Sequence, residues 1–182
     1  MPQRSFEPGG RFSTDWELDE VGVGITVDAT NPFGTSAEWW VYNDASSTKD
    51  PIYDVEPVQG GNGRVWNGPY ELLIISASIT HGVNQANQRG FYSSDSLKLT
   101  VNIDDLQEVS PELFFDERGF IRPQINFANK YRVAWQGQLY RPIQTQTQGY
   151  VTDRGTIIVL KCAQLMPEEL VNDAQFATYA QS

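Results

Sequence analysis

The sequence holds one cysteine and one histidine in 182 residues. A lone Cys162 excludes an intramolecular disulfide and any cysteine cluster for zinc. It lies in an apolar run and reads as a small buried hydrophobe. A lone His81 removes most histidine-based metal and acid–base sites, and no G-x-S-x-G elbow surrounds a serine. Basic residues are also scarce. There are 13 Lys and Arg against 23 Asp and Glu, for a net charge of −10 and a pI near 4.4. Non-specific adhesion to nucleic acid is disfavoured, because phosphate binding needs a basic footprint. Such acidity serves solubility, and it also suits a protein past which DNA must slide. No apolar run approaches the ~20 residues of a membrane span. The opening MPQRSFEPGG lacks the apolar core of a secretory signal. The expectation is a soluble protein, made in the cytoplasm, with no membrane partner.

What is present suits one core. Hydrophobic residues make up 40% and charged residues 20%, which argues against wholesale disorder. Three segments are expected. Residues 1–68 read as an extended, aromatic-rich arm, 69–166 as a β-domain, and 167–182 as a short tail that frays after one helical turn.

The second half shows its architecture best. Residues 130–165, KYRVAWQGQLYRPIQTQTQGYVTDRGTIIVLKCAQL, alternate apolar and polar over short stretches broken by Gly and Pro. Tyr131, Val133 and Trp135 share one strand face, with Arg132, Ala134 and Gln136 on the other. Gln136-Gly137 is a turn signal. This is a β-meander, as in small barrels and sandwiches. Upstream, residues 69–80 (PYELLIISASIT) read as one strand with Leu73, Ile75, Ala77 and Ile79 on one face. Residues 96–103 (SLKLTVNI) read as another, with Leu97, Leu99, Val101 and Ile103 aligned. The fold class expected is mainly β: a small antiparallel barrel or sandwich with an N-terminal arm, long loops and little helix.

Two stretches lack a regular period. A polar loop runs over 82–95. A longer irregular region, 104–126, opens on Asp104-Asp105-Leu106, a short helical turn that stops before Pro111. Phe114, Phe115, Phe120 and Phe127 lie along or just beyond it. Loops this long inside a compact domain are usually functional.

Tests for chemistry return little. The adjacent acids Asp104/Asp105, Asp116/Glu117 and Glu168/Glu169 read as solvated loop faces rather than glycosidase pairs. Asp44, Asp50, Asp54 and Glu56 do not fit the EF-hand spacing. Gly60, Gly61 and Gly63 form GGNG with no Lys-Ser/Thr after it, so no phosphate loop is read there. No catalytic residue, metal site or cofactor is expected. The five tryptophans leave a carbohydrate- or receptor-binding module as one alternative, with Trp39, Trp40 and Trp66 as stacking platforms. The other reading of Trp39, Trp40, Tyr42, Tyr53 and Trp66 is as anchors that hold an extended segment on a partner or on its own barrel.

The stretches EWWVYNDASSTKDPIYDV, GGNGRVW, NQRGFYSSDSLKLTVN, the meander and MPEELVNDAQF together resemble head-to-tail connector proteins of long-tailed phages, notably those of actinobacterial hosts. Within that machinery the similarity is to the head-to-tail stopper, or head-closure, protein. It spans roughly residues 38–176. The neighbouring adaptor would be mostly helical, and this chain shows little helix; a tail-completion protein stays open. The resemblance implies a β-barrel ring of six or twelve copies in the virion neck. The ring would sit below the portal and adaptor and above the tail terminator or tail tube. Packaged DNA would pass through it without sequence-specific binding, and a barrel loop would gate the channel. The polar loop, with Asn84, Gln85, Asn87, Gln88 and Arg89, suits the gate. The phenylalanine region suits subunit or tail contact.

Overall fold

Period-two alternation carries most of the chain into strands, and Gly-containing turns reverse it. The structure is a computed structural model that describes residues 35–47, 64–87, 90–114, 121, 127–151, 154–170 and 173–179. Strands β1 (Ser36–Tyr42), β2 (Trp66–Leu73), β3 (Ser76–Asn87) and β4 (Gly90–Asn102) come first. A helix α1 (Ile103–Val109) and a four-residue helix α2 (Phe127–Lys130) follow. Strands β5 (Tyr131–Trp135), β6 (Gln138–Val151) and β7 (Arg154–Gln164) complete the sheet. All pairings are antiparallel, in the order β2-β1-β5-β6-β7-β4-β3. The expected mainly β, antiparallel, sandwich-like class is what the chain adopts.

No ladder joins the two edges β2 and β3, so the sheet is not a closed barrel. The chain nevertheless ties these edges together. Ile74 donates its N–H to the Thr35 carbonyl at 3.1 Å, and Ile75 donates to the Thr100 carbonyl of β4 at 2.9 Å. Within two residues the backbone leaves one edge and joins the other. This is how a corner forms in a sandwich-like sheet. The single strand expected over 69–80 is therefore two strands. The apolar parity flips at the corner: Leu72 and Ile74 are buried, then Ala77 and Ile79 face the core. A run of four apolar residues, 72–75, fits either parity and so conceals the switch.

The expected aligned strand over 96–103 forms. Leu97, Leu99 and Val101 face inward against Ile158, Leu160 and Cys162 of β7, and all six are fully buried. Ile103 points the same way but opens α1. The Asn102 side chain caps that helix by accepting the Asp104 N–H at 3.1 Å. The helix stops where Ser110 precedes Pro111, as the sequence indicated. Between β5 and β6, Gln136 and Gly137 both have positive φ, 50° and 76°. A tight two-residue hairpin turn needs that geometry.

Both faces of β5 are buried. Tyr131 and Val133 join the main core, while Ala134 packs in a second cluster with Trp66, Leu139, Leu165, Leu170 and Phe176. That second cluster lies under the C-terminal segment. Residues 167–170 and 174–176 are 3-10 turns, and Phe176 is fully buried. The tail is not frayed through this region. It forms the lid of the second cluster. The expected domain limits shift accordingly. Position 68/69 falls inside β2, and β1 is an interior strand paired with both β2 and β5.

Burial also sets the chemistry of Cys162. It is fully enclosed, and burial pushes its thiol pKa well above the ordinary range. In the native protein Cys162 is expected to resist a water-soluble thiol reagent and to react at the rate of global unfolding. Rapid, complete labelling without denaturant would contradict this burial.

Candidate interaction surfaces

The segment expected to be a gating loop is a hairpin ribbon. β3 and β4 pair from Val83↔Ser94 to Asn87↔Gly90. The ladder between β4 and β7 starts only at Ser96↔Ala163. Among the described residues, the outer part of the hairpin thus has no third strand. Five pairs at ~3.4 Å per residue make a ribbon about 17 Å long. A bulge between Thr80 and Val83 marks its base. Asp95 clips the bulge: its Oδ2 meets His81 Nδ1 at 2.7 Å, and its Oδ1 accepts the Gly82 N–H at 3.3 Å. Bulges increase local twist and re-aim a strand, so this clip sets the direction of the ribbon. Asn84, Gln85 and Asn87 lie on β3. Gln88 and Arg89 lie outside the described residues. The loop expectation fails here because cross-strand pairing with β4 carries these weakly strand-forming residues into a ladder.

A second hairpin projects at the opposite end. Ile157 pairs with Asn102, the last residue of β4, and β6–β7 continue to Val151↔Arg154. From Arg141 onward, β6 has no strand on its β5 side among the described residues.

The aromatic anchors divide. Trp39 is fully buried in the main core. It stacks on Tyr131 with ring centroids 5.2 Å apart, and its Nε1 donates to Ser110 Oγ at 2.8 Å. Trp66 is 2% exposed in the second cluster. Phe176 packs tilted against Trp66 and edge-on against Trp40, at 5.6 and 5.1 Å. Tyr42 meets Trp66 edge-on at 5.4 Å. These four residues anchor β1 and β2 in their own sheet, not an arm on a neighbour. Tyr53 lies outside the described residues. The reason is register: alternation along β1 sends Trp39 into the main core and Trp40 and Tyr42, half-buried, against the second cluster.

The phenylalanines divide too. Phe114 is 4% exposed and belongs to the main core, so it is unavailable for tail contact. Phe127 opens α2. Phe115 and Phe120 lie outside the described residues.

Several polar residues that the sequence did not single out hold the second cluster. Arg132 is 3% exposed. Its guanidinium lies over the Trp66 ring, 4.6 Å from the centroid, and donates to the Ala128 and Tyr131 carbonyls at 2.7 and 2.8 Å. Burial lowers its pKa to about 10, opposed by the nearby Asp173 carboxylate. Asp173 is 1% exposed and accepts from Trp66 Nε1 at 3.4 Å, with Arg64 at 4.0 Å. Gln175 binds both backbone groups of Trp66, accepting its N–H at 2.6 Å and donating to its carbonyl at 3.2 Å. Tyr179 donates to Glu38 at 2.7 Å, and burial followed by that bond pushes the phenol up to about 12. The opposite-face position of Arg132 was legible from alternation. The carboxylate of Asp173 near it was not, because residue 173 reaches this cluster through Trp66, from a distant part of the chain.

At the other end of the sheet, α1 packs against β2 and carries three acids. Asp105 lies between Asp104 and Glu108. Burial first, and those two carboxylates next, raise its pKa. The charged form therefore disfavours the fold at neutral pH. Stability from this group is present when it is protonated and is lost as pH rises through the folded-state pKa. Asp105→Asn is expected to raise Tm at pH 7, with a gain that shrinks towards about pH 4. Calorimetry across that range checks it, and a Tm lowered at pH 7 would contradict the repulsion.

No known protein family matches the chain, and no curated protein matches it. Among solved structures, one neighbour is described as the virion of a native gene transfer agent particle. It is 11% identical over 72% of this chain and 94% of its own, with a TM-score of 0.37.

Proposed function

We infer that the chain is a structural virion protein that acts in the neck as a head-to-tail connector of the stopper type. It works by shape and carries no catalysis. Identical copies form a ring below the portal and adaptor, and the tail terminator or tail tube docks beneath. DNA passes through the ring without base-specific contacts. The observation that carries this reading is the β3–β4 ribbon. It extends beyond the sheet, is aimed by a clipped bulge, and its residues 83–87 and 90–94 bear no charged side chain. Apart from Arg89 in its connection the ribbon carries no charge, so on an acidic chain it can narrow a DNA channel with little phosphate binding. The sequence resemblance to connector proteins supports the same assignment.

The carbohydrate alternative loses its platforms at Trp39 and Trp66, whose rings are enclosed. Electron microscopy of purified virions tests the proposal. Ring density for this chain between adaptor and tail tube supports it. Density at the tail tip or on the capsid surface overturns it. Replacing residues 83–94 by a two-residue turn should leave the ring intact and yield heads that leak DNA. Unchanged DNA retention would remove the gating role from the ribbon.

A further inference from the structure

The outer face of the sheet bears a charge arrangement that channel gating leaves unused. Cross-strand pairing aligns β3, β4, β7 and β6 in rows. The middle row is Ser78, Lys98, Lys161 and Gln144. The rows on either side bring Thr80, Ser96, Ala163 and Arg141, then Ser76, Thr100, Val159 and Gln146. No carboxylate occupies any of these positions, on a chain of net charge −10. Lys98 and Lys161 are direct cross-strand partners. Like charges placed opposite one another destabilise a sheet. Lys161 donates to Gln144 Oε1 at 3.2 Å, and Arg141 has Glu169 at 3.7 Å. Among the described residues neither lysine joins an ion pair. The pair is thus a local cost that an anionic partner would relieve.

We propose that the Lys98–Lys161 face docks the acid-rich end of a second copy of this chain, in a head-to-tail contact. Charge complementarity selects that occupant. Between β2 and α1, Glu71, Asp105 and Glu108 line a cavity of about 480 Å³ with Tyr70, Leu73 and Val109. On α1, Asp104 and Glu108 repel Asp105 as the lysines repel one another, so each surface relieves the other. The two surfaces occupy different places. Lys98 is mid-strand on β4, whereas α1 begins after its last residue. Such a contact is heterologous and closes into a ring when the rotation permits. Two lysines on an acidic chain are a poor footprint for duplex DNA, which favours the second copy over a nucleic acid. The inference rests on the connector reading only for its consequence, ring formation.

Sedimentation equilibrium of the full chain tests it. Wild type is expected to associate at low salt and to dissociate as salt screens the contact. Lys98→Glu combined with Lys161→Glu should weaken association about tenfold or more. Glu71→Lys with Glu108→Lys should do the same, and mixing the two variants should restore association. Lys161→Glu alone should raise Tm while weakening association, which separates the contact from any folding defect. The proposal is overturned if wild type stays monomeric at every concentration. It is also overturned if the double lysine variant associates like wild type, or if the lysines bind duplex DNA instead. Rings in the neck that survive the double lysine substitution would sink this contact and leave the connector reading standing. Localisation at the tail tip, with association still lost in the variant, would do the reverse.

Discussion

Trp39→Ala is expected to lower the free energy of unfolding by about 3–5 kcal/mol, the range for deleting a large enclosed aromatic side chain. Trp39 is fully buried, stacked on Tyr131 and hydrogen-bonded to Ser110. Truncation leaves a cavity between β1 and β5 and strips the Ser110 hydroxyl of its partner. Trp135 is the internal comparison. It is only partly buried against the main core, so Trp135→Ala should cost distinctly less. Urea denaturation of both variants decides the ranking. An equal or reversed order would show that β1 is not an interior strand and would revive an arm that docks elsewhere.

The second large effect is expected at the other end of the chain. Phe176→Ala should also lose about 3–5 kcal/mol, because its ring touches Trp40, Trp66 and Tyr179 and is fully buried. Losing this contact loosens the segment that brings Asp173 to Trp66 and near Arg132. A buried charge without its neighbour adds to the penalty. Tryptophan emission offers a second readout, since Trp66 should become wetter and shift to the red. A Phe176→Ala protein with wild-type stability and emission would mean that the tail is loose.

At both residues the deciding contacts lie outside any local sequence pattern. Trp39 was visible as an aromatic, but its neighbours are far off in sequence. Ser110 lies 71 residues away, and no local pattern links the two. Residues 167–182 showed a weak helical signal and little else. What orders residues 173–176 is Trp66, more than 100 positions upstream. The β3–β4 ribbon differs. Its Asn, Gln, Gly and Ser content is that of a loop, and cross-strand backbone bonds made it a ladder.

Alternation and turn chemistry determined the rest. Leu97, Leu99, Val101 and the meander strands follow period two, and the turn at Gln136-Gly137 is encoded in its own residues. The α1 boundaries follow from Asn102 and Pro111. These are local preferences, encoded within a few residues. Tertiary structure alone decided the corner at Ile74 and Ile75, the burial of both faces of β5, and the pairing of Lys98 with Lys161. Each depends on which strands become neighbours. Register across distant strands is fixed by how the whole core packs, not by any segment alone.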